Sequence, residues 1–365
     1  MVLLIMQLKS NNFVDADMSK TYSGKLKHFY ALFLIPALLI GSCKNGSDQI
    51  DLSNIKLEVH IQRFDHDLDA LAKAPTPRKA ADLQKKYGAF YADMIERVLE
   101  FGSVNDTAYL DNLQQMYAGK PYQDLKHEVD SIYPDLNKQE EELTDAFKRI
   151  KYYFPQAKLP QVYAYFSGFQ AQTTIGNGYV GVGLDMFLGA RSKFYPALIN
   201  TYPRYLSRRF TPDNLSPRVV EAVIREDMFP ERDSDHTLLE HMIYEGKVLY
   251  LMDKLLPEVP DSTKIGYTTQ QTEWCKAFEA NVWGFFLEEN LLYETDHLKY
   301  QKYLTEAPFT PGLGEKNESA PKLAMWTGWQ IVKQYMAKHP ATTPKQLLAM
   351  TDAQAFLNNA NYHPK

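Results

Sequence analysis

The stretch Gly176-Asn177-Gly178-Tyr179-Val180-Gly181-Val182-Gly183-Leu184 decides how the rest of the chain is read. Its first six residues match G-x-G-x-x-G, the loop that seats a dinucleotide pyrophosphate. That loop must end a strand and open a helix whose N-terminus holds the phosphates. Here Val182, Gly183 and Leu184 continue a strand-like pattern instead. Asn177-Gly178 is a hairpin turn signal. Pro160 to Ser167 ahead of it holds Val162, Tyr163, Tyr165 and Phe166, residues that favour strands. The stretch is therefore read as a hairpin in a small antiparallel sheet.

Most of the chain on either side has helical spacing. Leu57, Val59 and Ile61 first alternate with polar residues, as in a half-buried strand. Thr76-Pro77 then forms an N-cap and first-turn pair. Leu83, Tyr87, Phe90, Met94 and Val98 follow on one face, up to Gly102. Further helices are predicted over 107–117, 138–154, 217–229, 236–256, 269–293, 297–305, 321–338 and 344–357. The helix at 269–293 carries Phe278, Val282, Trp283, Phe285, Phe286, Leu291 and Leu292, so it is expected at the centre of the core. The fold class is α+β, predominantly helical.

Composition excludes several roles. Of 365 residues, 45% are apolar and 23% charged, values of an ordered globular chain. Forty basic against 45 acidic residues leave no cationic surplus for a phosphate backbone, so no nucleic-acid partner is expected. Two cysteines, Cys43 and Cys275, exclude a disulfide framework and a Cys-rich zinc site. Cys275 lies among aromatics and reads as a buried, inert thiol.

The N-terminus gives the destination. Lys20, Lys25 and Lys27 precede an apolar run from Phe29 to Ile40, then Gly41-Ser42-Cys43. The run is too short to span a bilayer and suits a secretory signal. Small residues leading into Cys43 resemble a bacterial lipobox, which makes Cys43 the expected lipidation site. Residues 1–17 read as an extension ahead of a start at Met18, and 18–42 as the lipoprotein signal peptide. Residues 43–56 read as a flexible tether. Residues 57–365 form one globular domain, with a helical part at 57–155 and a second part at 156–365. The expected location is the bacterial cell envelope, lipid-anchored to a membrane and facing the periplasm.

Metal and ligand candidates are few. His66 sits between Asp65 and Asp67 at an expected strand end, and solvation there is the simpler reading. His241 and Glu245 lie four apart on one helix face. Arg225-Glu226-Asp227-Met228-Phe229 occupies a place where a zinc peptidase would need H-E-x-x-H. Arg has no lone pair to lend and Phe no donor. Trp326 and Trp329 offer either core packing or a sugar platform.

Several stretches in order resemble the gliding-motility lipoprotein GldB family of Bacteroidota. They include Arg63-Phe64-Asp65, Gly181 to Gly189, Met242-Ile243-Tyr244-Glu245-Gly246-Lys247, Trp283-Gly284-Phe285-Phe286 and Gly328-Trp329-Gln330-Ile331-Val332. That family is similar in layout to predicted zinc peptidases, in which a later helix supplies Glu within Glu-Gly. The resemblance implies a zincin-like scaffold with a degenerate metal motif. Its vestigial cleft would be built from Arg225, Glu226, Phe229, His241 and Glu245, with no catalytic residue, metal or cofactor. The implied role is non-enzymatic: an accessory or scaffold lipoprotein whose partners are proteins of the gliding and associated secretion machinery. Two alternatives stay open: a metal-dependent peptidase using His241, Glu245 and Glu226, and a glycan-binding envelope lipoprotein using the tryptophans.

Overall fold

Helix starts follow local chemistry. The Thr76 hydroxyl accepts the Lys79 amide at 3.3 Å and starts the helix beginning at Pro77. Thr237, Thr268 and Thr343 each close a reciprocal box, with Glu240, Gln271 and Gln346 respectively. The computed structural model describes residues 50–314 and 318–365. The leader, Cys43 and the first part of the tether lie outside them.

The first half holds α1 (Phe64–Lys73), α2 (Pro77–Tyr87), α3 (Tyr109–Ala118), α4 (Lys120–Ile132) and α5 (Asn137–Tyr153). After the sheet come α6 (Leu215–Val223), α7 (Leu238–Leu255), α8 (Thr269–Ala277), α9 (Glu279–Glu288), α10 (Leu323–Lys338), α11 (Pro344–Ala349) and α12 (Ala353–Ala360). The chain is thus predominantly helical, with a small sheet, as expected.

The sheet has four strands: β1 (Ile61–Arg63), β2 (Gln161–Tyr165), β3 (Thr173–Gly176) and β4 (Tyr179–Gly183), in the order β1-β2-β4-β3. Asn177-Gly178 joins β3 to β4 as the expected antiparallel hairpin, with Gly178 at φ +80°. The two other neighbours pair in parallel, so the sheet is mixed. β1 is shorter than the alternation of 57–61 suggests, because α5 side chains take its donors. Thr144 Oγ1 accepts the Val59 amide at 2.9 Å, and Glu140 Oε1 accepts the Ile61 amide at 2.8 Å.

Two long helices make the core of the second half. α7 buries residues around most of its circumference, and α10 crosses it closely. The crossing is glycine on glycine. A Cβ on Gly246 would stand 2.3 Å from the Gly328 carbonyl oxygen, and one on Gly328 would stand 1.8 Å from that of Met242. Glycine inside a helix costs about 1 kcal/mol against alanine. Backbone approach is what these two positions gain for that cost.

The 269–293 helix differs from its expectation. It breaks at Phe278 into α8 and α9, and α9 buries only Val282 and Phe286. α7 and α10 take the central place instead. α4 was not expected, although Pro121 in its first turn and Tyr122, Leu125 and Val129 on its buried face supply the pattern.

Candidate functional site

α6 runs into a wider π-helical turn over Ile224–Met228, which turns Arg225 toward α7. The Arg225 guanidinium lies between two carboxylates. Its Nε donates to Glu221 Oε1 at 3.0 Å. Its Nη1 and Nη2 donate to Glu245 Oε1 and Oε2 at 3.0 and 2.6 Å. Arg218 bonds the other Glu221 oxygen and also donates to the carbonyls of Thr263 and Lys264, at 3.1 and 2.9 Å. Burial pushes the Glu221 carboxyl up, but Arg218 and Arg225 outweigh it and hold it at about 2. Burial lowers the Arg225 pKa, and Glu245 and Glu221 more than reverse that. The group is a fixed, fully ionised bridge between two helices.

The expected cleft residues therefore meet in part. Arg225 and Glu245 converge. Phe229 stacks on Tyr244 with ring centroids 5.2 Å apart, and its carbonyl accepts the Tyr244 hydroxyl at 3.2 Å. His241 turns elsewhere: its Nδ1 lies 2.5 Å from Glu231 Oε1. Glu226 is exposed. The pair one turn apart that faces Glu245 is Glu221 and Arg225, four residues before the 225–229 frame. Glu221 was missed because that frame excluded it, although Arg218, Glu221 and Arg225 show the i, i+3, i+7 spacing of an ion-pair ladder.

This arrangement corrects the metal-dependent peptidase reading. Its three residues are split between Arg225, Glu231 and solvent. Among the described residues no group of three or more His, Cys, Asp or Glu side chains is placed to hold a metal ion. The sugar-platform reading also fails, because Trp326 and Trp329 are buried. Trp329 Nε1 donates to Asp253 Oδ2 at 2.9 Å inside the core. Cys275 is buried as expected, and burial pushes its thiol up to about 12.

The two motifs near the sheet are structural ties. His66 lies on α1 rather than at a strand end. Its Nε2 is 2.6 Å from Arg63 Nη2 and 3.3 Å from Asp130 Oδ1. Asp65 is buried and takes a forked pair from Arg63. Asp185, unremarked in the sequence, is fully buried and accepts the amides of Ser167 and Phe169 at 2.8 and 2.6 Å. It holds Gly168 and Phe169 in left-handed conformation, φ +66° and +61°. A surface recess of about 520 Å³ opens beside the π turn, lined by residues 154–160, Asn177, Gly178, Asp227, Met228 and Lys345.

Lys247, next to the glycine crossing, is buried over the rings of Phe229 and Phe356 and donates to the Met350 carbonyl. Burial lowers its pKa to about 8, and burial also lowers that of Lys322 to about 8. Unfolded lysine titrates near 10.4. Between pH 8 and 9.5 each of these lysines is therefore protonated in the unfolded chain and largely neutral in the folded one, a contribution to stability that rises with pH. Each lysine contributes at most about 1.4 kcal/mol per pH unit. From about pH 9 the buried tyrosines and the Cys275 thiol, which release their protons sooner in the unfolded chain, offset this and then reverse the trend. From pH 7.5 to 9.5 the urea midpoint of wild type should climb relative to that of Lys247→Met, because the tyrosines and the thiol are common to both and only the lysine differs. A difference between the two that does not grow with pH would contradict the burial of the Lys247 amine.

The comparisons can now be set against this geometry. A family model described as gliding motility protein GldB matches residues 45–364. The chain belongs to the GldB family. No curated protein gives a match. No solved structure does either, so the zincin-like layout has no structural counterpart among the comparisons. Membership makes the chain a gliding-motility lipoprotein associated with the cell envelope. Among the described residues no helix is long and apolar enough to cross a membrane.

Proposed function

We propose that this GldB-family protein acts without catalysis, as a lipid-anchored accessory or scaffold of the gliding and associated secretion machinery, facing the periplasm. The observation that carries the reading is Arg225 between Glu221 and Glu245. A guanidinium fills the space between the two carboxylates, saturates the Glu245 carboxylate in a bidentate pair, and ties α6 to α7. The same atoms serve a rigid body better than a reacting centre. In this reading Cys43 carries the lipid, 43–56 is the tether, and the domain from residue 57 presents surfaces to partner proteins.

Cys43 tests the anchor. Two or more acyl chains give stable attachment, whereas one is marginal. Cys43→Ala should abolish labelled fatty-acid incorporation, move the protein out of the membrane fraction and stop spreading of the cells. Wild-type protein that takes up no label and floats free of membranes would end the lipoprotein reading.

A further inference from the structure

The sheet has two edges, and only one is covered. Beside β1, side chains of α5 take the Val59 and Ile61 amides. β3 forms the other edge. Its two-residue turn makes Gly176 and Tyr179 a hydrogen-bonded pair, and strand alternation makes Thr174 and Gly181 the next. The Gly183 amide, donating to the Gln172 carbonyl at 3.0 Å, continues the series. The main-chain groups of Thr173 and Ile175 therefore face away from β4. Among the described residues, neither their N–H nor their C=O groups have a hydrogen-bond partner.

Nothing in β3 blunts this edge. Thr173-Thr174-Ile175-Gly176 has no charge and no proline, its register with β4 has no bulge, and all four residues are part-exposed. The strand is also held firm. The Tyr165 ring lies over Gly181, where a Cβ would stand 2.9 Å from it, and its hydroxyl meets Thr174 Oγ1 at 2.5 Å. Ile175 packs against the core.

Two donors and two acceptors alternating along a strand are matched by an extended main chain. A second copy of β3 is a poor match. It turns back at its own Asn177-Gly178. On its other side Gln170 is pinned, its amide donating to Ser167 Oγ at 3.2 Å and its carbonyl accepting the Tyr202 hydroxyl at 3.2 Å. Four residues a side fall far short of the roughly 1,200 Å² or more that holds a stable pair. A free segment can run on past the turn. There the recess of about 520 Å³ begins at Asn177 and Gly178, with Phe154, Leu159, Pro160 and Met228 among its walls.

We propose that β3 docks an extended segment of a partner protein as an added strand, with an apolar side chain of that segment in the recess. The partner's place in the cell rests on the scaffold reading. The chemistry rests on β3 and the recess alone.

Linear peptides selected from a random library on the whole anchored protein in detergent supply the probe. N-methyl groups placed one at a time along a selected peptide should raise Kd about tenfold at alternate amides and leave those between unchanged. Binding should slow hydrogen exchange at the Thr173 and Ile175 amides. Thr173→Pro deletes one outward donor at the first residue of the strand, a place that accepts proline. It should raise Kd about tenfold at an unchanged melting temperature. The methyl scan alters only the peptide, so it decides the matter even if that variant misfolds. No peptide binding, a scan without alternation, exchange slowed only elsewhere, or a dimer of this chain that Thr173→Pro dissolves overturns the proposal. A bound peptide recovered cut would end the non-catalytic reading and leave the docking in place.

Discussion

Gly328→Ala should cost at least about 3 kcal/mol of stability, the upper end for overpacking, since the obstruction is backbone rather than a movable side chain. The Met242 carbonyl oxygen would lie 1.8 Å from the new methyl carbon, and a helix backbone cannot yield there without moving α7 from α10. Gly246→Ala meets the Gly328 carbonyl at 2.3 Å and should behave alike. Alanine improves helix propensity by about 1 kcal/mol at either position, which only partly offsets the clash. Gly284→Ala is the internal control. It lies on α9 with nothing within 4 Å, so the same exchange should be neutral or stabilising by up to about 1 kcal/mol. Urea midpoints of the three variants decide it. A Gly328→Ala midpoint equal to wild type would mean the two helices are not held at backbone contact.

The glycine crossing shows where reading the chain succeeds and where it stops. The Thr76 cap, the Asn177-Gly178 hairpin and the positions of α5, α7 and α10 follow from local rules, so they were legible. α9 was misplaced because an all-apolar helix is normally buried on every side, and periodicity cannot say which neighbours are present. β1 was overextended because its amides are taken by Thr144 and Glu140, more than seventy residues away. The site was half legible for the same reason. Arg225 and Glu245 stood out by residue type, but Glu221 and Asp185 acquire meaning only once their partners from other elements are in place. His241 and Glu245 looked like a pair of metal donors because spacing shows a shared helix face. It does not show the neighbour, here Glu231, that claims the imidazole.

Arg225→Ala should destabilise the protein by about 3–5 kcal/mol, since it leaves Glu245 without its partner and Glu221 with Arg218 alone. Arg225→Lys keeps the charge but cannot reproduce the fork, and a smaller loss of about 1–2 kcal/mol is expected. Acid titration separates charge from packing. Glu221 is held at about 2 in the folded chain, against 4.5 as its ordinary value. Its contribution is therefore complete above pH 4.5 and is lost as pH falls toward 2. With Arg225 gone the folded value of Glu221 rises, so the acid-unfolding midpoint should move to higher pH as well as the urea midpoint falling. Adding Glu245→Gln to Arg225→Ala removes one of the two stranded charges and should recover part of the loss. Recovery would establish that the arginine stabilises by neutralising carboxylates. If Arg225→Ala instead unfolds at the wild-type pH and urea concentration, the bridge contributes nothing to rigidity. The scaffold reading would then lose the observation on which it stands.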